Sequence, residues 1–202
     1  MKSKFRKINR GLILSLLVIL GVAAYYVALG IQAAPEKKLI DETLVGYFEQ
    51  LAPSYIVPEE YKTTAVQKAD VEKLAADIRE KFRPYFADQK SLDYFMENTV
   101  LPSLESQTIY PTQEVVKAIS DYQKLGEVNI DRQKETATVQ ARVKTGSEIR
   151  YYEVGFGEDG AITKKPAGSS SSGGYEWETT VNFTMQKVEG KWLITGTSGY
   201  WL

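Results

Sequence analysis

YEWETTVNFTMQKVEGKWLITGT, residues 175–197, carries the period that decides the fold. Tyr175, Trp177, Thr179, Val181, Phe183 and Met185 alternate with Glu176, Glu178, Thr180, Asn182, Thr184 and Gln186, so a strand here sends the two sets to opposite faces. Glu189 and Gly190 make a tight turn into a second strand at residues 191–197, which predicts an antiparallel hairpin. Its aromatic members Tyr175, Trp177 and Phe183, with Trp192 across the turn, have two readings: the core face of a sheet under helices, or the lining of a pocket for a small hydrophobic ligand.

Period two extends upstream to Gly126. Val128 and Ile130 alternate with polar residues, and Ala137, Val139, Ala141 and Val143 do so after a turn at residues 131–134. Gly146 is expected to turn the chain into a third strand, residues 149–156, in which Tyr152, Val154 and Phe156 share a face. KKPAGSSSSGG, residues 164–174, reads as a solvated loop, because its composition is too polar and flexible to pack.

Before Gly126 the apolar spacing is helical. Ile40, Leu44, Tyr47, Phe48 and Leu51 form one face, with Pro35 in front and Pro53 behind. Residues 54–68 read as an extended loop. Asp70 is the expected N-cap of a helix whose apolar face is Val71, Leu74, Ala75, Ile78 and Phe82, stopping near Pro84. A short helix from Ser91 carries Leu92, Phe95 and Met96 as far as Pro102, and another from Pro111 and Thr112 carries Val115, Val116 and Ile119.

The N-terminal end sets the location of everything else. Residues 12–31, LILSLLVILGVAAYYVALGI, lie in a stretch free of charge from Arg10 to Glu36, and about 20 apolar residues in a helix cross the hydrocarbon of a bilayer. Lys2, Lys4, Arg6, Lys7 and Arg10 precede it without an acidic residue, which keeps the N-terminus cytoplasmic and sends the rest outward. The rival is a signal peptide cleaved near Ala33 and Ala34, against which the run is longer than a signal core of roughly 7–15 residues. The expected organisation is a basic tail at 1–10, a transmembrane anchor at 11–34 in the cell membrane, and one extracytoplasmic domain at 35–202.

Composition prunes the chemistry. Beyond residue 34 lie all 26 acidic residues and 20 of the 25 basic ones, a net charge of −6 that gives no general attraction for nucleic acid. The absence of cysteine excludes disulfides, thiol nucleophiles and thiolate metal sites. The absence of histidine removes the commonest general base and the commonest transition-metal ligand. No cofactor or metal site is expected, and acidic pairs such as Glu59 and Glu60 lack the oxygen spacing of a calcium loop.

Helices first and antiparallel strands after predict an α+β class with helices on one side of a sheet. That order, with Glu189-Gly190-Lys191-Trp192-Leu193-Ile194-Thr195 in the last hairpin, resembles the NTF2-like superfamily over roughly residues 37–202. The resemblance implies a cone whose bent sheet wraps a long helix and leaves a pocket at the open end. A short basic tail, one membrane helix and an outer domain of this type also resemble the bitopic scaffold subunits of bacterial conjugative and type IV secretion machines.

Members of the superfamily that are enzymes place Asp, Tyr, His or Arg inside the cone. Without histidine, a Tyr-plus-Asp pair drawn from Tyr47, Tyr85, Tyr152, Asp93 and Asp121 is the remaining option, and spacing singles out none of them. The reading that follows is a non-enzymatic, membrane-anchored protein-interaction module acting with a protein partner or as a homo-oligomer. A module for a small hydrophobic ligand is the alternative. The contact residues for either are Tyr152, Trp177, Phe183, Trp192, Tyr200 and Trp201, the last two in a tail that either closes a pocket or meets a partner.

Overall fold

A computed structural model describes residues 10–62, 66–109, 111–158, 162–167 and 172–198. The chain divides into two compact units, Met1–Leu39 and Ile40–Leu202.

Helix α1 runs Arg10–Ser54, so Pro35 lies inside it rather than in front of a separate helix as expected. A proline removes one N–H and crowds the carbonyl four residues back, but the helix formers Ala33, Ala34, Glu36, Lys37 and Lys38 on both sides carry the helix through. Within the first unit, Leu14, Leu16, Leu17, Val18, Ile19, Leu20, Val22, Tyr25, Tyr26 and Val27 are exposed. This is the one helix among the described residues long and apolar enough to cross a membrane.

The second unit is α+β. Its part of α1 buries Ile40, Leu44, Tyr47, Phe48 and Leu51, the face read from the sequence. Helix α2, Lys68–Phe82, buries Val71, Leu74, Ala75, Ile78 and Phe82 as expected. It starts a turn earlier than Asp70, however: Gln67 is the N-cap and Asp70, at the third helical position, accepts a hydrogen bond from the Gln67 backbone N–H at 3.3 Å. Helix α3, Gln89–Phe95, is capped by Asp88, whose Oδ1 accepts from the Ser91 N–H at 2.8 Å. A π-helical turn at Met96–Val100 leads into α4, Leu101–Thr108. Pro102 therefore does not end the helical run; it sits in the first turn of α4, where a missing N–H costs nothing.

The sheet has six strands: β1, Gln113–Lys124; β2, Asn129–Asp131; β3, Thr136–Phe156; β4, Ile162–Pro166; β5, Ser172–Val188; and β6, Lys191–Ser198. The order is β1-β3-β5-β6, all antiparallel, with β2 and β4 paired to the two ends of β3. Three expectations fail together here. The helix from Pro111 is instead β1, whose β-branched Val115, Val116 and Ile119 suit a pleated strand as well as a helix face. Gly146 is no turn but lies within the 21-residue β3, paired to Ile119 on one side and Glu176 on the other. The polar stretch at 164–174 is not a plain loop: β4 and the start of β5 take up part of it, because an unbroken β3 offers them a partner.

The β5–β6 hairpin is as read, with Glu189 and Gly190 at φ 50° and 81°, the left-handed pair of a two-residue turn. Ala137, Val139, Ala141 and Val143 of β3, Val181, Phe183 and Met185 of β5, and Trp192 and Ile194 of β6 form one buried face. The helices cover that face, and their side chains and those of the sheet form a single core.

Candidate functional site

The alternating aromatic stripe divides where the helices end. Phe183 and Trp192 are buried and present no surface to a ligand, whereas Tyr175 and Trp177 on the same face of β5 remain 54% and 46% exposed. Tyr47 is the hub of the interior. Its ring makes edge contacts with Phe48, Phe82, Phe95 and Phe183 at centroid distances of 5.1, 5.6, 5.7 and 6.3 Å. Burial pushes its phenol well above the usual range. Among the described residues, then, the buried side chains of the helices and the sheet form one contiguous cluster around Tyr47. Tyr200 and Trp201 lie outside the described residues.

Tyr152 belongs to a polar cluster that joins four segments distant in sequence. Its hydroxyl donates to Glu114 Oε2 at 2.7 Å, and Lys62 Nζ donates to Glu114 Oε1 at 3.0 Å and to Glu59 Oε1 at 2.7 Å. Lys164 Nζ donates to the Lys62 carbonyl at 2.6 Å and stands 5.8 Å from the centre of the Tyr152 ring. Burial alone would raise the Glu114 carboxyl, but hydrogen bonds from Tyr152 and Lys62 and the charges of Lys62 and Arg150 outweigh it and hold it below the usual range. The hydrogen bond to Glu114, with burial, raises Tyr152, while burial lowers Lys164. By these contacts the cluster forms a clasp between the 3-10 turn at Glu59–Tyr61, the start of β1, the end of β3 and β4.

The sign of its pH dependence follows. A carboxyl held low in the folded state contributes stability that is complete above its unfolded value near 4.3 and is lost as pH falls through the lower folded value. Glu114→Gln should thus lower the urea midpoint at pH 7, and the gap to wild type should narrow as pH falls below about 4. An undiminished gap at pH 3 would show that the carboxylate charge is not what the clasp uses.

The other polar candidates do not converge on a cavity. Asp93 pairs with Arg79 and accepts from Gln89 at 2.9 Å, and Asp121 is exposed and accepts from the Tyr122 N–H at 2.8 Å. Tyr122 donates to Asp41 at 3.1 Å, joined by Lys124 at 2.6 Å, and stacks on Phe48. No group of three acidic side chains among the described residues is placed to hold a metal ion.

Surface hollows among the described residues include two of note. A cleft of about 630 Å³ has a floor of Tyr47, Phe86, Phe95 and Ile194 and a rim that includes Lys90, Tyr94 and Asn98. A hollow of about 460 Å³ lies on the sheet beside Lys117, Ile119 and Glu148. Neither was legible beforehand: the cleft depends on the π-helical turn and on β6 lying beside α3, which local spacing does not encode. The two sheet edges differ. Along β6, Thr43 Oγ1 donates to the Trp192 carbonyl at 2.8 Å, the Ala87 N–H to the Ile194 carbonyl at 2.9 Å and Ser91 Oγ to the Thr195 carbonyl at 2.9 Å. Along β1, the Gln107 side chain meets only the start, accepting from the Val115 N–H at 2.9 Å.

No family model matches the sequence, and no curated protein matches it. Among solved structures, the intermembrane space region of the chloroplast protein ARC6 is similar, with a TM-score of 0.43 and 11% identity, over 80% of this chain and 94% of that one.

Proposed function

We propose that this chain is a membrane-anchored, non-enzymatic assembly module whose extracytoplasmic domain presents its surface to a protein partner. The observation that carries the reading is the apolar, solvent-exposed helix from Leu14 to Val27 behind a basic, acid-free start. In water that much apolar surface is strongly unfavourable, and a bilayer removes the penalty. The absence of histidine and cysteine, and the use of Glu114 and Tyr152 to hold four chain segments together, favour an interaction role over catalysis. Helices on one face of an antiparallel sheet support reading the domain as an NTF2-like cone, and anchor plus cone supports a place among bitopic scaffold subunits of a secretion or conjugation assembly. The burial of Phe183 and Trp192 also favours this reading over a hydrophobic ligand held against the aromatic stripe.

Fractionation tests it. The full chain should stay with membranes in alkaline carbonate, its mass should retain residues 1–34, and protease added outside should digest the domain. A variant lacking residues 1–34 should move to the soluble fraction. A mature mass lacking those residues, or a domain protected from outside protease, would overturn the anchored topology.

A further inference from the structure

We propose that β1 is the contact between two copies of this chain, which pair antiparallel along their β1 edges about a two-fold axis at Ile119 and so continue one sheet into the other. The inference deepens the assembly reading above by naming the partner and its register. β1 ends the sheet, and from Val116 onward no strand pairs with its outer side among the described residues. Other segments cap the carbonyls of β6, whereas β1 is blunted along its edge only by charged side chains and the bulge between Val115 and Lys117.

Charge fixes the register. Beyond the bulge between Val115 and Lys117, the side chains of Lys117, Ile119 and Asp121 share the solvent face, where Lys117 stands opposite Glu148, Ile119 opposite Gly146 and Asp121 opposite Lys144. Lys117 and Asp121 are both exposed. An axis perpendicular to the sheet keeps each face continuous, so it must lie midway between the two copies of one residue, which then face each other. With the axis at Ile119, Lys117 faces the partner's Asp121, and the partner's Lys117 faces Asp121. The row Glu148, Lys117, the partner's Asp121, the partner's Lys144 then alternates in sign across the junction, and Lys144 is itself paired to Glu176 at 2.6 Å. Moving the axis to Ala118 sets Lys117 against Ile119, and moving it to Ser120 sets Asp121 against Ile119. Only the register at Ile119 pairs both charges with their opposites.

The chain has no cysteine, so one engineered thiol reports the register. Residues directly opposite in antiparallel strands bring their Cβ atoms to about 4.5–5.5 Å, close enough for oxidation to a disulfide after a small adjustment. In membranes holding the full chain, Ile119→Cys should give a dimer that thiol reductant reverses, while Lys134→Cys, in the exposed β2–β3 turn, should not. In the Ile119→Cys background, Lys117→Asp or Asp121→Lys should lower the dimer fraction roughly tenfold, because each places two like-charge pairs across the axis. Both together should restore it, although they leave the pairs with Glu148 and Lys144 inside each chain reversed. No dimer at position 119, equal dimer at 134, or reversals without effect would overturn the proposal. If an amine-reactive crosslinker on the wild-type chain traps a larger species while position 119 gives none, the edge pairing falls and the assembly reading stands. Monomer throughout removes both.

Discussion

Phe183→Ala should destabilise the domain by about 3–5 kcal/mol, a large part of the 5–15 kcal/mol that holds a typical domain folded. Phe183 is fully buried in β5, a strand held between β3 and β6, with Val139 opposite on one side and Thr197 on the other. Its ring meets those of Tyr47 and Phe48 at 6.3 and 5.8 Å. Strands on both sides stop the sheet from collapsing into the space left behind, so the cost includes a cavity as well as lost transfer energy. Urea unfolding of the full chain in detergent micelles, followed by tryptophan fluorescence, measures it. Trp177→Ala is the internal comparison: same strand, same face and a larger residue, but half exposed and beyond the helices, so it should cost less than about 1 kcal/mol. Equal losses at the two positions would mean that the stripe is not divided as described.

That contrast marks how far the sequence could be read. Alternation from Tyr175 to Met185 assigned the strand and its faces, and both hold along its whole length. It carried no information on where the helices stop, so Trp177 and Phe183 looked equivalent although one is surface and the other core. The same limit explains β1. Val115, Val116 and Ile119 fit helical spacing and strand propensity alike, and only the presence of an unbroken β3 decides between them. Gly146 looked like a turn because strands on each side of a glycine usually mean one, and that single step hid the length of β3, the pairing of β4 and the early start of β5. Helix faces were more legible: α2 buries the five residues its spacing selects, since a 3.6-residue period over four turns leaves little ambiguity. The clasp was not, because Lys62 and Glu114 lie 52 positions apart and Glu114 and Tyr152 lie 38 apart. Local pattern does not reach across such separations.

Gly146→Ala should destabilise the sheet by about 1–3 kcal/mol, even though replacing glycine in an unstrained strand ordinarily gains about 0.4–1 kcal/mol. A Cβ at this position would lie 2.7 Å from the Tyr175 carbonyl oxygen and 3.1 and 3.2 Å from Cγ1 and Cδ1 of Ile119. Ile119 can move; the carbonyl cannot without disturbing the pairing of β5 to β3. Gly196→Ala in β6, where an added Cβ meets nothing within 4 Å, supplies the expected gain for comparison. Asparagine separates the two reasons a chain might keep glycine here. A turn needs a left-handed backbone, which asparagine tolerates, so Gly146→Asn would then be mild. A close approach between strands needs the absence of a Cβ, so Gly146→Asn must be at least as damaging as Gly146→Ala. Thermal unfolding of the two variants should rank them that way, and a mild asparagine beside a damaging alanine would return Gly146 to a turn and break β3 in two.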